Sequence, residues 1–401
     1  MLKSRLPEAG ANLFQAVKAQ CVEAEAKGIK LLKLTIGEPD GRALLSARQF
    51  AADAIMHGST DVHGYQDNGC RPCEDFAERF VWANNPQADF PGRDVSYLPI
   101  PGIKPMLGLI PLACGAQGSK PIDVATTTKP GYPTPADWCR YLIGAVTLRE
   151  FELNPNNEFR FGFGGDGRGW PPDLIMMNYP HNPTGQVASR EWLMELCDWC
   201  QEHNVRLFND AAYAVLAFPG SDHVTLAEIA VQFPGLSWAE AYSASKAGNF
   251  CGWRVGAIVG SPDFVADIAK IKGNSDSGFN AALALGVLHA FENDFESISK
   301  VRGIYQRRIV KVRAMLEAAG LKLAVEPKAG FFTLWRVPTT AFGLTVKDAG
   351  HFNQLMIERV GLAGVPFNPS YIRYAVCNPL VDDNQLIAEL ASFLAEAKIG
   401  Y

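Results

Sequence analysis

The chain lacks any apolar run long enough to span a bilayer. Its longest candidate, residues 281–288, falls far short of the roughly 18 residues a span requires and reads as a buried helix. The first twenty residues carry Lys3, Arg5, Glu8 and Lys18 without the apolar centre of a secretory signal, so a cytoplasmic protein is expected. Charge of one sign is also scarce. A formal net charge of -5 over 401 residues offers no basic surface for a nucleic acid. Nine cysteines, an odd count spread along the chain, suit reduced thiols better than a disulfide framework. Two CxxC pairs, Cys70/Cys73 and Cys197/Cys200, raise the question of a thiolate zinc site. In the second pair, Leu193, Leu196, Cys197 and Cys200 recur at helical spacing, so packing on a core face is expected and no metal.

What is present describes a folded globular chain: 48% hydrophobic and 20% charged residues, too long for one ordinary core. Seven short apolar runs, at 96–100, 122–127, 145–148, 173–178, 205–209, 239–243 and 257–259, alternate with amphipathic segments such as 102–114, 136–143 and 189–203. Such alternation predicts an α/β large domain wound around a mainly parallel seven-stranded sheet, covered on both faces. Ligands of such sheets gather at the strands' carboxyl ends. Beyond residue 281 the pattern changes to a long basic helix near 292–319, apolar runs at 321–325, 330–337 and 371–376, and helices at 347–360 and 383–397. This predicts a smaller α+β domain, joined by the N-terminal helix at 12–27 and the run 31–36. The expected division is 46–290 for the large domain, and 1–45 with 291–401 for the small one. Arg307, Arg308, Lys311 and Arg313 read as a solvated helix face, His181 as a loop residue, and Trp192, Trp199, Trp253 and Trp335 as packing.

The chemistry concentrates at strand ends. In Ser243-Ala-Ser-Lys246-Ala-Gly-Asn-Phe-Cys-Gly-Trp-Arg254 a strand enters and another leaves, which puts Lys246 beside a turn of small residues, where an amine can become nucleophilic. Ser243, Ser245 and Arg254 supply two hydroxyls and a guanidinium, the donors a phosphate dianion needs. The run 205–209 ends in Asp210-Ala-Ala-Tyr213. A carboxylate at a buried strand end requires a cation, and a protonated pyridine nitrogen is one that fits. Asn182, in the rigid loop Tyr179-Pro-His-Asn182-Pro-Thr-Gly185, and Tyr213 offer neutral donors for a phenolate oxygen on the same ring.

With these segments the chain resembles the class I/II aminotransferases of the fold type I pyridoxal-phosphate group over nearly its whole length. Asn182, Asp210, Lys246, Arg254 and Arg373 stand in that family's order, each in its expected local sequence. The resemblance implies pyridoxal 5'-phosphate as cofactor, held by Lys246 as a Schiff base with Asp210 on the ring nitrogen. It further implies a phosphate turn at Pro101-Gly102-Ile103-Lys104, a stacking ring at Tyr132 and a substrate carboxylate contact at the Gly37 backbone. Arg373 is the implied carboxylate arginine, in Tyr371-Ile-Arg373. Gly64-Tyr65, with Gly69, resembles the segment whose tyrosine reaches the neighbouring subunit's phosphate, so a homodimer with shared sites is implied, taking an amino acid and a 2-oxo acid as substrates. Within the family, Lys272-Gly-Asn274-Ser-Asp276-Ser-Gly278 is similar to a stretch of the LL-diaminopimelate aminotransferases, and Gly102-Ile-Lys104 suits that subgroup. The chain departs from it before Arg373, where 365–370 replaces the usual glycine-rich loop. Carbon–sulfur β-elimination would use the same lysine, aspartate and arginine. A non-catalytic cofactor-binding regulator would need a DNA-binding segment, for which no pattern stands out.

Overall fold

A computed structural model describes residues 13–68, 75–163 and 171–401; Gly69 and the Cys70/Cys73 pair lie outside the described residues. The seven apolar runs form one seven-stranded sheet from β1 (Ser96–Ile100), β2 (Ile122–Lys129), β3 (Val146–Glu152), β4 (Leu174–Met177), β5 (Arg206–Asp210), β6 (Trp238–Ser243) and β7 (Gly256–Gly260), in the order β1-β7-β6-β5-β4-β2-β3. Neighbours pair in parallel except β7, which runs antiparallel to both β1 and β6. Every residue of β4, β6 and β7 is buried, the continuous apolar signature of strands covered on both faces. One charge interrupts it. Glu240 in β6 is fully buried, and its carboxylate accepts from the N–H groups of Leu226 and Ala227 at a helix start, from the Asn209 amide and from the Tyr242 hydroxyl. That full set of donors is what makes a buried carboxylate tolerable.

Three further strands form a second sheet, β8 (Phe332–Arg336), β9 (Val365–Pro366) and β10 (Tyr371–Ala375), antiparallel in the order β9-β10-β8. Leu32–Lys33 pairs in parallel with Leu362–Ala363, so the N-terminal segment joins the chain's last third. Among the described residues no helix is long and apolar enough to cross a membrane.

Several expectations are corrected. The run 321–325 makes one isolated bridge, Leu323 to Trp335, and no strand. The basic helix starts at Phe295, separated at Asp294 from the buried helix Ala281–Asn293. Residues 102–114 split into two short helices, Ile103–Met106 and Leu109–Ala113. Gly108 lies between them, where a Cβ would come within 2.6 Å of the Trp138 ring, so glycine permits a contact that a continuous side-chain-bearing helix would block. The basic face is not wholly solvated. Arg308 turns inward beside Tyr305, Ile309 and Val312, and donates to Asp382 at 2.6 and 3.0 Å and to the Cys377 carbonyl at 2.8 Å. Trp192 and Trp199 are only partly buried, unlike Trp335. Leu193, Leu196, Cys197 and Cys200 do line the core face of the helix Arg190–Glu202, and burial pushes both thiols well up, so they stay protonated.

Candidate active site

Strands β4, β5 and β6 end together, and a cavity of about 790 Å³ opens over their carboxyl ends. Lys246 closes the single turn Ala244–Lys246 that follows β6, a turn capped by the Ser243 hydroxyl accepting from the Ser245 N–H at 3.1 Å. Its ammonium reaches into the cavity and donates to the Gly37 carbonyl at 2.7 Å, with the Cys251 sulfur 3.7 Å away. Gly37 comes from the N-terminal segment, over 200 residues distant in sequence. A Cβ there would meet the Phe332 ring at 3.0 Å, a tight contact that the ring would have to relieve by shifting.

Asp210 ends β5, one strand over. It is buried, and its side chain accepts a single hydrogen bond among the described residues, from the Ala212 N–H at 3.1 Å. Burial raises its pKa from 3.8 to about 7, only partly opposed by that bond and by the Lys246 charge. No cation among the described residues is hydrogen-bonded to this carboxyl.

On the other side, Arg373 in β10 is buried between the rings of Phe332 and Phe367, at 4.5 and 5.0 Å. It donates to the Asn182 side-chain oxygen at 2.8 Å and to the Thr35 carbonyl at 2.7 Å, while its Nε is buried without a partner among the described residues. Burial lowers its pKa to about 10, which leaves it a cation at neutral pH. With Asn182 Oδ1 accepting from the arginine, its amide N–H groups remain as donors at the cavity wall. Tyr213 lies alongside, edge-on to Phe331 and Phe332. The short 365–370 stretch proves to be β9 followed by a tight turn, 367–370, into β10, and Phe367 of that turn lies against the guanidinium.

At the opposite end, the turn after β1 meets Arg254, two residues before β7. Gly102 has φ 80°, and a Cβ there would lie 2.5 Å from an Arg254 nitrogen. Arg254, itself at φ 56°, donates to the carbonyls of Cys251 and Pro101 at 3.0 and 3.2 Å. Ile103, Lys104, Tyr132, Ser243 and Ser245 line the same cavity as Arg254. Every expected site residue therefore lines one cavity except Gly102, which lies against the Arg254 guanidinium, and Tyr65, which is 81% exposed. His181, near the cavity, is fully buried and bonded to Thr184, with burial pulling its pKa down to about 4. Asn178, Cys251, Trp138 and the Phe14–Gln15 pair also line the cavity and were not foreseen. Asn178 had a visible signal, since it directly follows β4. Helix-borne Phe14 and Gln15 had none.

A lysine amine, a buried carboxyl short of a cation and a hydroxyl–guanidinium cluster, set around one cavity on this sheet, suit pyridoxal phosphate in each of its parts: aldehyde, ring nitrogen and phosphate. Fold and site thus define a pyridoxal-phosphate-dependent transferase of fold type I. The aminotransferase class I and II family model matches residues 29–386, and the chain belongs to that family. It is 28% identical over 382 residues to the LL-diaminopimelate aminotransferase of Methanocaldococcus jannaschii, covering 92% of this chain and 87% of that one. It is also 28% identical over 416 residues to the LL-diaminopimelate aminotransferase of Dehalococcoides mccartyi, covering 99% and 100%. The Thermus thermophilus aspartate aminotransferase solved with maleate shares the fold, with TM-score 0.78 at 22% identity, covering 96% of this chain and 97% of that one. The protein is an aminotransferase.

Proposed function

We propose that this chain moves an amino group from an L-amino acid to a 2-oxo acid with pyridoxal 5'-phosphate anchored at Lys246, and that its donor is of the LL-diaminopimelate or aspartate type. The observation that carries the cofactor reading is Asp210, a buried carboxyl that bonds no cation among the described residues, at the end of the strand beside the lysine. A bound pyridinium ring supplies an electron sink for charge developing at the substrate's Cα. Asp210 keeps the ring nitrogen protonated. Asn182 and Tyr213 donate to the ring's phenolate oxygen, Tyr132 stacks on the ring, and Ser243, Ser245, Arg254 and the 102–104 turn hold the phosphate. With the cofactor bound, the Lys246 amine would take the substrate's Cα proton as base and deliver it, as acid, to the carbon that carried the cofactor's aldehyde. Arg373 and the Gly37 backbone fix the substrate carboxylate so that the Cα–H bond lines up with the ring.

The donor reading rests on the named relatives and on a charge inventory. With Lys246, Arg254 and Arg373 assigned, Lys104 is the remaining cation among the described lining residues, and Asp210 the one acid. A distal carboxylate suits that wall better than a lone distal ammonium. In this reading 46–290 forms the cofactor-binding body, and 1–45 with 291–401 the small domain that brings Gly37 and Arg373. A second copy covers the face that exposes Tyr65 together with Leu45, Ile55 and Met56 of the helix Leu45–His57, so that Tyr65 reaches the partner's phosphate.

The test is a donor panel of LL-diaminopimelate, aspartate, alanine and aromatic amino acids against 2-oxoglutarate and pyruvate. A new amino acid formed fastest from the first or second donor is expected. Ammonia and pyruvate released from cystathionine without a 2-oxo acid would instead mark a β-lyase. Replacing Arg254 by alanine should weaken cofactor retention during dialysis by roughly tenfold or more, the worth of charge-assisted bonds to phosphate; unchanged retention, read by absorbance, removes it from the phosphate site. Arg373→Lys should raise the amino-acid KM by about 10–100-fold, because an ammonium cannot make the planar fork. An unaltered KM places the carboxylate elsewhere.

A further inference from the structure

The ladder between β4 and β5 runs from Leu174 opposite Arg206 to Met177 opposite Asn209, and there it stops. The backbone groups beyond would be left unpaired at the cavity floor, a costly arrangement for buried peptide groups. Two side-chain amides, one from each strand end, continue the ladder in its place. Asn178 donates through Nδ2 to the Asp210 carbonyl at 2.7 Å, and its Oδ1 accepts from the Asn182 N–H at 3.0 Å. Reciprocally, Asn209 Oδ1 accepts from the Tyr179 N–H at 2.9 Å, and its Nδ2 donates to the Tyr179 carbonyl at 2.9 Å and to Glu240 at 2.7 Å. Each amide has an N–H on its oxygen and a carbonyl on its nitrogen, so neither can be turned over without breaking both bonds. Asn178 is held at its own N–H as well, by the Thr127 hydroxyl at 3.1 Å. Both asparagines are buried, at 5% and 2% exposure.

The consequence lies in what Asn178 joins. One of its bonds ends on the backbone of Asp210. The other ends on Asn182, whose side chain in turn receives Arg373 at 2.8 Å. A single amide therefore spans the acid at one edge of the cavity and the asparagine–arginine pair at the other. Asn209, among the described residues, bonds Tyr179 and Glu240 and neither Asp210 nor Asn182.

We propose that Asn178 is a positioning residue for the transamination. Its amide sets the distance between the Asp210 carboxyl and the Asn182–Arg373 pair, so that cofactor ring and substrate carboxylate are held in one frame. The inference rests on the cofactor and carboxylate roles proposed above. The two bonds make separable predictions. Asn178→Ala loses both, so kcat should fall and the amino-acid KM should rise together, by roughly 100-fold in kcat/KM, the scale of a misplacement near 1 Å. Asn178→Asp keeps an acceptor for the Asn182 N–H but loses the donor to the Asp210 carbonyl. Its KM should therefore return toward the wild-type value while kcat stays low.

The experiment compares the reconstituted holoenzymes of wild type, Asn178→Ala and Asn178→Asp, measuring kcat, KM and the pH titration of the cofactor's visible absorbance. A shifted absorbance titration in both variants, with the KM recovered only in the aspartate variant, supports the proposal. Wild-type kcat, KM and titration in the alanine variant overturn it, as does a wild-type kcat in the aspartate variant if the alanine variant does not fold. The wild-type absorbance and turnover test the cofactor reading by themselves, so its failure is told apart from failure at Asn178.

Discussion

Lys246→Ala is expected to lose turnover by at least about 10³-fold, the scale of a removed general acid–base, and to lose the covalent link to the cofactor that borohydride fixes in the wild type. The expectation follows from placement. The amine sits at the end of a one-turn helix whose hydroxyl cap fixes its backbone, and it already bonds a carbonyl brought from the N-terminal segment. Lys104, the other lysine lining the cavity among the described residues, sits exposed on the wall with the 102–104 turn and has no such seat. After borohydride treatment, peptide mass mapping of the wild type should find the label on the Lys246 peptide alone. Normal transamination by the alanine variant, or a label on another lysine, would end the assignment.

Asp210→Asn should cut kcat by about 10²–10³-fold, the loss seen when a preorganised electrostatic contact is removed, while cofactor still binds. The same change carries an opposite effect on the cofactor-free chain. The folded-state pKa of Asp210 is raised, from 3.8 to about 7, by burial. A raised carboxyl pKa means the folded chain holds its proton more tightly than the unfolded one. Its stabilising contribution is complete below about pH 4 and is lost as pH rises through about 7, where the buried group ionises without a partner. Asparagine removes that penalty. Melting of the cofactor-free proteins should therefore show the variant gaining on the wild type between about pH 4 and pH 7, with the lead kept at about pH 8. Added cofactor should restore the wild type, because a pyridinium cation is the missing partner. A difference in Tm that does not change with pH would show that Asp210 does not titrate in this window. Stability of the empty chain and catalysis by the loaded one are thus opposed at a single carboxyl, a trade common at functional sites.

Much of this is legible in the sequence. Strands β4, β6 and β7 are, because a strand buried on both faces is written as a short apolar run whatever its neighbours are, whereas the half-exposed edge strand β3 announces only its start at 146–148. The reactive residues are too, because each stands within a few positions of a strand's end: Asp210 closes β5, and Lys246 follows β6 by one turn. Arg308 was misread, since a basic run at helical spacing looks solvated until Asp382 and two carbonyls, some 70 residues on, turn one member inward. Residues 321–325 were overread, since an apolar run needs a partner edge to become a strand and found only one bridge.

The sequence by itself determined which stretches become strands, which amine and which acid stand at their ends, and in what order; local apolar periodicity and short motifs carry that much. Only the tertiary structure decided that the Gly37 carbonyl meets Lys246, that Phe367 covers Arg373, and that Asn178 ties Asp210 to Asn182. The reason is physical. Such partnerships join groups that stand many residues apart, and they depend on strand order and loop length, which no single segment contains.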